Sequence, residues 1–159
     1  MDILEMFDDP DLDGETKAVA LLQIFYPGWA EIPAEHLQEA VEKACEFIDC
    51  GIEPDGKHHP RVVDWQKDAS IIIPAVNTVA KREVRTDPNI HWWTFFGWYM
   101  NIESSLFSSV LNIRQKKANG KKLEKWETEF YQKNRSIIDI KPPESKEERE
   151  TKDSILKWL

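Results

Sequence analysis

Aromatic side chains are concentrated in one stretch of this 159-residue chain, from Asn89 to Arg114. The stretch reads NIHWWTFFGWYMNIESSLFSSVLNIR, and no other part of the sequence has comparable apolar surface. Aromatic side chains bury large areas and dominate the energetics of a core, so a compact fold has to be built around this segment. The run from about Ile90 to Met100 is apolar on nearly every side, which predicts a helix at the centre of the fold.

The rest of the chain is patterned for helices, because apolar residues recur at intervals of three and four. Asp64 is placed to cap the third of these helices, and Pro74 should kink or split it. The sequence therefore predicts an all-α fold: a compact multi-helix domain with a kinked third helix, an aromatic central helix and a charged C-terminal helix or tail. Besides the aromatic helix, the predicted helices cover residues 15–26, 33–50, 64–83, 103–112 and 123–134.

Three regions are predicted along the chain. Residues 1–14 form an acidic N-terminal arm, and residues 15–141 form the helical domain. Residues 142–159 begin with a Pro-Pro pair and form a charged helix or tail. The apolar end of this tail is either a peptide that docks on a partner or part of a helix folded back on the domain.

The formal net charge of −8 is unevenly distributed. Residues 1–60 contain 15 acidic and 3 basic side chains, and residues 61–159 contain 14 acidic and 18 basic ones. A protein that meets different partners at its two ends would have this asymmetry, although solvated helix faces explain it equally well. The most basic part, residues 114–135, also holds aromatic residues and could bind nucleic acid. We favour a core face flanked by lysines, which could contact an acidic protein, including the N-terminal half of a second copy.

No pattern typical of an active site is found. The sequence has no recognisable pair of catalytic carboxylates, nucleophile elbow, glycine-rich phosphate loop or set of four metal ligands. His91 has no recognisable Ser, Cys or carboxylate partner, and its place at the start of the aromatic helix predicts a structural, hydrogen-bonded role. We therefore expect no enzyme, and no catalytic, cofactor-binding or metal site. No run approaches the ~18 apolar residues of a membrane span, so no membrane partner is expected.

Two segments resemble a known family. PRVVDWQKDASIII is followed after a short gap by IHWWTFFGWYMNIESSLFSSVLNIR, and this order is similar to a small family of phage tail proteins. The family is named for the fifteenth gene product of a phage with a long non-contractile tail that infects Gram-positive bacteria. The resemblance covers roughly residues 14–141. The residues that carry it are Arg61, Asp64, Asp68, His91, Trp92, Trp93, Phe95, Phe107, Ile113 and Arg114.

The resemblance implies a tail assembly chaperone without chemistry of its own. Such a protein would bind the tape measure protein and keep it soluble during tail morphogenesis, in the host cytoplasm, and would be absent from the mature virion. The tail tube protein is a further candidate partner, and self-association is also considered. The alternative function is a nucleic-acid-associated phage protein that uses the basic hairpin at 114–135, against which the acidic N-terminal half argues.

The residues predicted to bind a partner come from three segments: the aromatic helix, the basic hairpin and the C-terminal tail. The tryptophans among them are equally candidates for the core, and we expect only a minority to be exposed. The predicted residues are Trp92, Trp93, Trp98, Arg114, Lys121, Lys122, Trp126, Ile155, Leu156 and Trp158.

Overall fold

All regular secondary structure in the described residues is helical, which confirms the prediction of an all-α fold. The structure is a computed structural model, and it describes residues 3–53, 56 and 59–140. These residues divide into two compact units. Residues 3–53 belong to the first unit, and residues 56 and 59–140 belong to the second.

The first unit is built around the pair α2 (Gly14–Phe25) and α3 (Leu37–Ile48), preceded by the short helix α1 (Ile3–Asp8). Two single 3₁₀ turns, Trp29–Glu31 and Ala34–His36, lie between α2 and α3. The Asp13 carboxylate caps α2 by accepting a hydrogen bond from the backbone N–H of Thr16 at 2.8 Å.

The core of the first unit contains three fully buried side chains, Met6, Leu21 and Ala44. One comes from each of the three helices. The segment predicted as an acidic arm therefore contains a short helix that contributes Met6 to this core. Met6 is screened from water because α1 packs on α2, whereas Phe7 of the same helix is exposed.

The second unit begins with α4 (Trp65–Ala80), whose start was predicted from Asp64. The Asp64 carboxylate accepts a hydrogen bond from the backbone N–H of Lys67 at 3.0 Å, so the predicted cap is confirmed. Pro74 does not split the helix, which continues through it to Ala80. The remaining elements are a 3₁₀ turn at Val84–Thr86, α5 (Trp92–Met100), α6 (Leu106–Ala118), α7 (Lys125–Lys133) and α8 (Arg135–Ile138).

Helices α4 and α6 supply most of the core of the second unit. One cluster of buried residues joins α4 to the start of α6, and a second joins the middle of α6 to α8. The first contains Ile72, Ala75, Val76, Val84 and Phe107, and the second contains Val110, Ile113 and Ile138.

Helix α5 packs against this core on one side only. Phe95, Trp98 and Tyr99 are half-buried against the first cluster, but no residue of α5 is fully buried. The sequence predicts a surrounded, central helix because α5 is apolar on nearly every side. In the structure α4 and Phe107 cover one face of α5 and leave aromatic and thioether side chains on the other.

Helix α6 is longer than predicted. The change from apolar to basic residues after Asn112 predicts an end there, but the helix continues to Ala118. It continues because Ile113 and Arg114 are buried, so one face of the basic segment still belongs to the core. The predicted turn at Asn119–Gly120 follows directly, with Gly120 at φ +65°.

Candidate partner-binding surface

The Arg114 side chain makes five hydrogen bonds inside the second unit, although the sequence predicts it as a partner-binding residue. Its guanidinium donates to both carboxylate oxygens of Asp68, at 2.5 and 2.8 Å. It also donates to the backbone carbonyls of Val62, Ile137 and Ile138, at 2.9, 2.6 and 2.7 Å. These bonds use all five N–H groups that an arginine carries.

Arg114 is therefore removed from the list of partner-binding residues. Its side chain is 5% exposed and that of Asp68 is 1% exposed, so a partner cannot reach the pair. Asp68 also accepts a hydrogen bond from the backbone N–H of Asp64 at 2.9 Å. The pair thus joins the start of α4 to α6 and to the chain around α8.

His91 caps α5, as predicted. Its Nδ1 accepts a hydrogen bond from the backbone N–H of Trp93 at 3.2 Å. Because Nδ1 acts as an acceptor, the imidazole has a structural role at this end of the helix.

Trp92 and Trp98 are half-buried, each with an identifiable neighbour. The Trp92 ring lies edge-on to Trp65 at 6.2 Å between centroids and stacks on Phe95 at 5.8 Å. The Arg82 guanidinium lies 5.3 Å from the centre of the Trp98 ring, within the range of a cation–π interaction. These two tryptophans help to hold α5 against the rest of the second unit, and only part of each side chain is exposed.

The outer face of α5 exposes one of the predicted tryptophans together with a methionine. Trp93 is 47% exposed and Met100 is 60% exposed. Gly97 lies between them at helical spacing, and apart from the adjoining residues and the backbone of α5 itself, no atom of the described residues lies within 4 Å of a Cβ atom added there. The α5 face, defined here as Trp93, Gly97 and Met100, therefore has a notch between two large apolar side chains.

Lys121, Lys122 and Trp126 are brought together where α6 turns into α7. Both lysines are exposed, and Trp126 is 51% exposed, with its indole N–H donating to the Glu124 carboxylate at 3.0 Å. The sequence analysis favoured a core face for this basic segment, and the half-exposed Trp126 does not belong to such a face. We call residues Lys121–Trp126 the α6–α7 elbow.

Glu127 takes the inward position beside Trp126, and the sequence analysis did not predict this. It is fully buried, and its carboxylate accepts from the Lys116 ammonium at 2.6 Å and from the backbone N–H of Glu124 at 2.7 Å. The hydrogen bond from Lys116 lowers the pKa of the Glu127 carboxyl, and the same bond raises the pKa of Lys116. The Glu124–Glu127 spacing of a capping box was the available signal.

The other predicted positions are less informative. Ile155, Leu156 and Trp158 lie outside the described residues.

Within residues 3–53 and 59–140, no three His, Cys, Asp or Glu side chains are grouped to hold a metal ion. In that same part of the chain, no helix combines the length and apolarity of a membrane span. An open depression of about 250 Å³ lies between α4 and the start of α6, lined by Ser70, Pro74, Thr78, Ser104 and Leu106.

Comparison with protein families identifies the chain. The family model described as Bacteriophage Gp15 protein matches residues 1–140. The chain belongs to this family. No curated protein and no solved structure matches it. Membership places this Gp15-family protein among phage structural or morphogenesis proteins, and it does not favour the nucleic-acid alternative.

Several residues that carry the family resemblance hold the fold of this Gp15-family protein. Asp68 and Arg114 form the buried ion pair, and Phe107 and Ile113 are in the core. His91 caps α5. Their positions explain how the resemblance specifies the fold, whereas the α5 face and the elbow are exposed.

Proposed function

We propose that this Gp15-family protein is a tail assembly chaperone that binds the tape measure protein and keeps it soluble during tail morphogenesis. It acts in the host cytoplasm, performs no catalysis, and leaves before the virion is mature. The observation that carries the proposal, together with family membership, is the exposed α5 face on an all-helical fold.

The α5 face has the properties of a surface that receives an amphipathic helix. Tryptophan is enriched among the residues that dominate binding energy, and methionine adapts its shape to varied apolar partners. Two such side chains separated by a residue without a side chain form a notch into which an apolar side chain of a partner helix can insert. A tape measure protein is expected to present long amphipathic helices before the tail tube encloses it, so its chemistry matches this surface.

The composition of α5 supports the same interpretation. A glycine inside a helix destabilises it by roughly 0.5–1 kcal/mol relative to alanine. In the described part of the chain, a Cβ atom at Gly97 would have open space around it, so packing among these residues does not require a glycine there. Close approach of a partner is a physical reason for the missing side chain.

The test is co-expression of the full chain with the tape measure protein of the same phage, followed by affinity capture and sedimentation. The key variant is Gly97→Leu, which adds a large side chain to the notch at a position where the described residues leave open space for its Cβ atom. Ala69→Leu, at an exposed position of α4, adds a similar side chain to another helix and is the matched control.

We expect the tape measure protein to remain soluble and to co-elute with the wild type and with Ala69→Leu, and to aggregate with Gly97→Leu. Equal solubility with and without this protein would refute the chaperone function. Equal capture by Gly97→Leu and wild type would show that the α5 face is not the binding site.

A further inference from the structure

We propose that the α6–α7 elbow binds the acidic face of α3 of a second copy of this chain. The inference concerns self-assembly, and it does not depend on whether the tape measure protein is the client. It rests on two exposed surfaces of opposite charge, one on each unit.

The elbow carries three lysines and one carboxylate, that of Glu124, which accepts from the Trp126 indole. Lys121, Lys122 and Lys125 are exposed, and none of the three forms an ion pair within the described residues. By contrast, the nearby Lys116 and Lys117 are paired, with Glu127 and Asp139 respectively. Among the lysines from Lys116 to Lys125, the unpaired ones are thus those that project from the elbow.

Trp126 gives the elbow an apolar anchor. It is half-exposed and next to Lys125, and tryptophan is enriched among the residues that dominate the binding energy of protein interfaces. Because isolated surface ion pairs contribute little, a side chain that removes large apolar area from water is needed for a stable contact. The elbow therefore has both exposed positive charge and an exposed tryptophan within six residues.

The acidic face of α3 has the complementary arrangement. Glu39, Glu42 and Glu46 follow one another at intervals of three and four, which places them in a narrow stripe along α3, and Glu35 lies in the 3₁₀ turn just before this helix. All four are exposed. Residues 31–49 contain six carboxylates and a single lysine, Lys43, which pairs with Glu46 at 2.6 Å.

A second copy fits the elbow better than nucleic acid does. Residues 1–60 hold 15 acidic side chains against 3 basic ones, so the whole molecule repels a polyanion of extended length. An α3 stripe is short and carries a few carboxylates, which matches a patch of three lysines. Charge complementarity also orients the contact, because like-charged surfaces of two copies repel each other.

The proposed contact joins different surfaces of the two copies. If both contacts form reciprocally between the same two copies, the product is a two-fold dimer, and if each copy binds a different neighbour, the products are rings or short chains. Their size should depend on protein concentration and on salt.

The test is sedimentation velocity of the full chain and two charge-reversed variants. One variant is Lys121→Glu/Lys122→Glu/Lys125→Glu, and the other is Glu39→Lys/Glu42→Lys/Glu46→Lys. All substituted side chains are exposed, and circular dichroism checks the fold. Lys81→Glu and Glu103→Lys, which reverse exposed charges elsewhere, are the controls.

The wild type and both controls are expected to associate at about 0.05 M salt and to dissociate at about 0.5 M, where charges are screened beyond roughly 4–5 Å. Each triple variant alone should associate at least about tenfold more weakly, because two like charges then meet. An equimolar mixture of the two triple variants should associate again, because each elbow now faces an α3 stripe of opposite charge.

Three results would overturn the inference. The first is a wild type that stays monomeric at low salt and high concentration. The second is association that persists in both triple variants, and the third is a mixture of the two variants that does not associate. A fluorescent single-stranded oligonucleotide is titrated in parallel. Binding of this probe that disappears in the lysine variant, without any self-association, would assign the elbow to nucleic acid instead.

Discussion

The Arg114 guanidinium and the Asp68 carboxylate form a two-pronged ion pair between residues that are 46 positions apart in the chain. The pair is almost completely buried, and three backbone carbonyls satisfy the remaining guanidinium N–H groups. A buried charge without its partner is strongly unfavourable. The pair therefore fixes how α4, α6 and the segment around α8 meet in the second unit.

Removal of one member of this pair should destabilise the protein severely. We expect Arg114→Ala or Asp68→Ala each to lower the free energy of unfolding by about 3–5 kcal/mol, because the other charge is left buried and unpaired. Arg114→Met/Asp68→Leu should be less destabilised than either single variant. Urea denaturation of the four proteins measures the effect, and single variants with wild-type stability would contradict the assigned role.

Truncation of Phe107 tests the main core cluster of the second unit. Phe107 is 2% exposed and packs with α4 and with the Tyr99 ring, whose centroid lies 5.6 Å away. Phe107→Ala should lower the free energy of unfolding by about 3–5 kcal/mol, through lost transfer energy and the cavity left behind. Leu106→Ala, at the adjacent exposed position, is the control and should have a small effect on the urea midpoint.

Gly97 and Gly120 should respond in opposite directions to substitution by alanine. An added Cβ meets nothing within 4 Å at either position, but Gly120 has φ +65° whereas Gly97 is helical. Gly97→Ala should raise the free energy of unfolding by about 0.4–1 kcal/mol, and Gly120→Ala should lower it. Thermal unfolding of both variants decides the matter, and a destabilised Gly97→Ala would mean that the notch is not open space.

The Lys116–Glu127 contact should make the attachment of α7 sensitive to acid. The hydrogen bond from Lys116 holds the pKa of Glu127 below its usual 4.5. This stabilisation is present above pH 4.5 and is lost as the pH falls through the lowered folded-state pKa. Glu127→Gln should unfold at a lower urea concentration than wild type at pH 7, and the difference should shrink towards acid pH. A constant difference across the range would exclude the ionised pair as its source.

Tyr99 should contribute to alkaline unfolding. Burial, and secondarily the charge of Asp68, raises the pKa of Tyr99 to about 12 from the usual 10.0. The folded state then holds the phenol proton more tightly, so its stabilisation is complete below pH 10 and is lost as the pH rises towards 12. Tyr99→Phe should make the unfolding midpoint fall less steeply over this range. Tyr26→Phe, which removes a different tyrosine, is the control in the same titration.

The helices were predictable because local signals specify them. Asp64 and His91 cap helices at the predicted places, and Gly120 lies in the turn that follows α6. These signals depend on backbone groups within four residues, so the sequence contains the information directly. The all-α class follows from the same periodic patterns.

The burial of individual side chains was not predictable in this way. Trp126 is exposed and the neighbouring Glu127 is buried, although hydrophobicity alone suggests the reverse. Arg114 reads as part of a basic patch but is enclosed by the core. Periodicity identifies the helix, but which of its faces meets the core depends on partners far away in the chain.

The sequence by itself determined the helical class, the caps and turns, the charge asymmetry and the family of this protein, because these depend on local residue patterns. Tertiary structure alone decided that Asp68 neutralises Arg114, that only one side of α5 packs against the core, and that three lysines and a tryptophan project from the elbow. The physical reason is that burial and ion pairing are properties of contacts between distant segments, and those contacts form only when the chain folds.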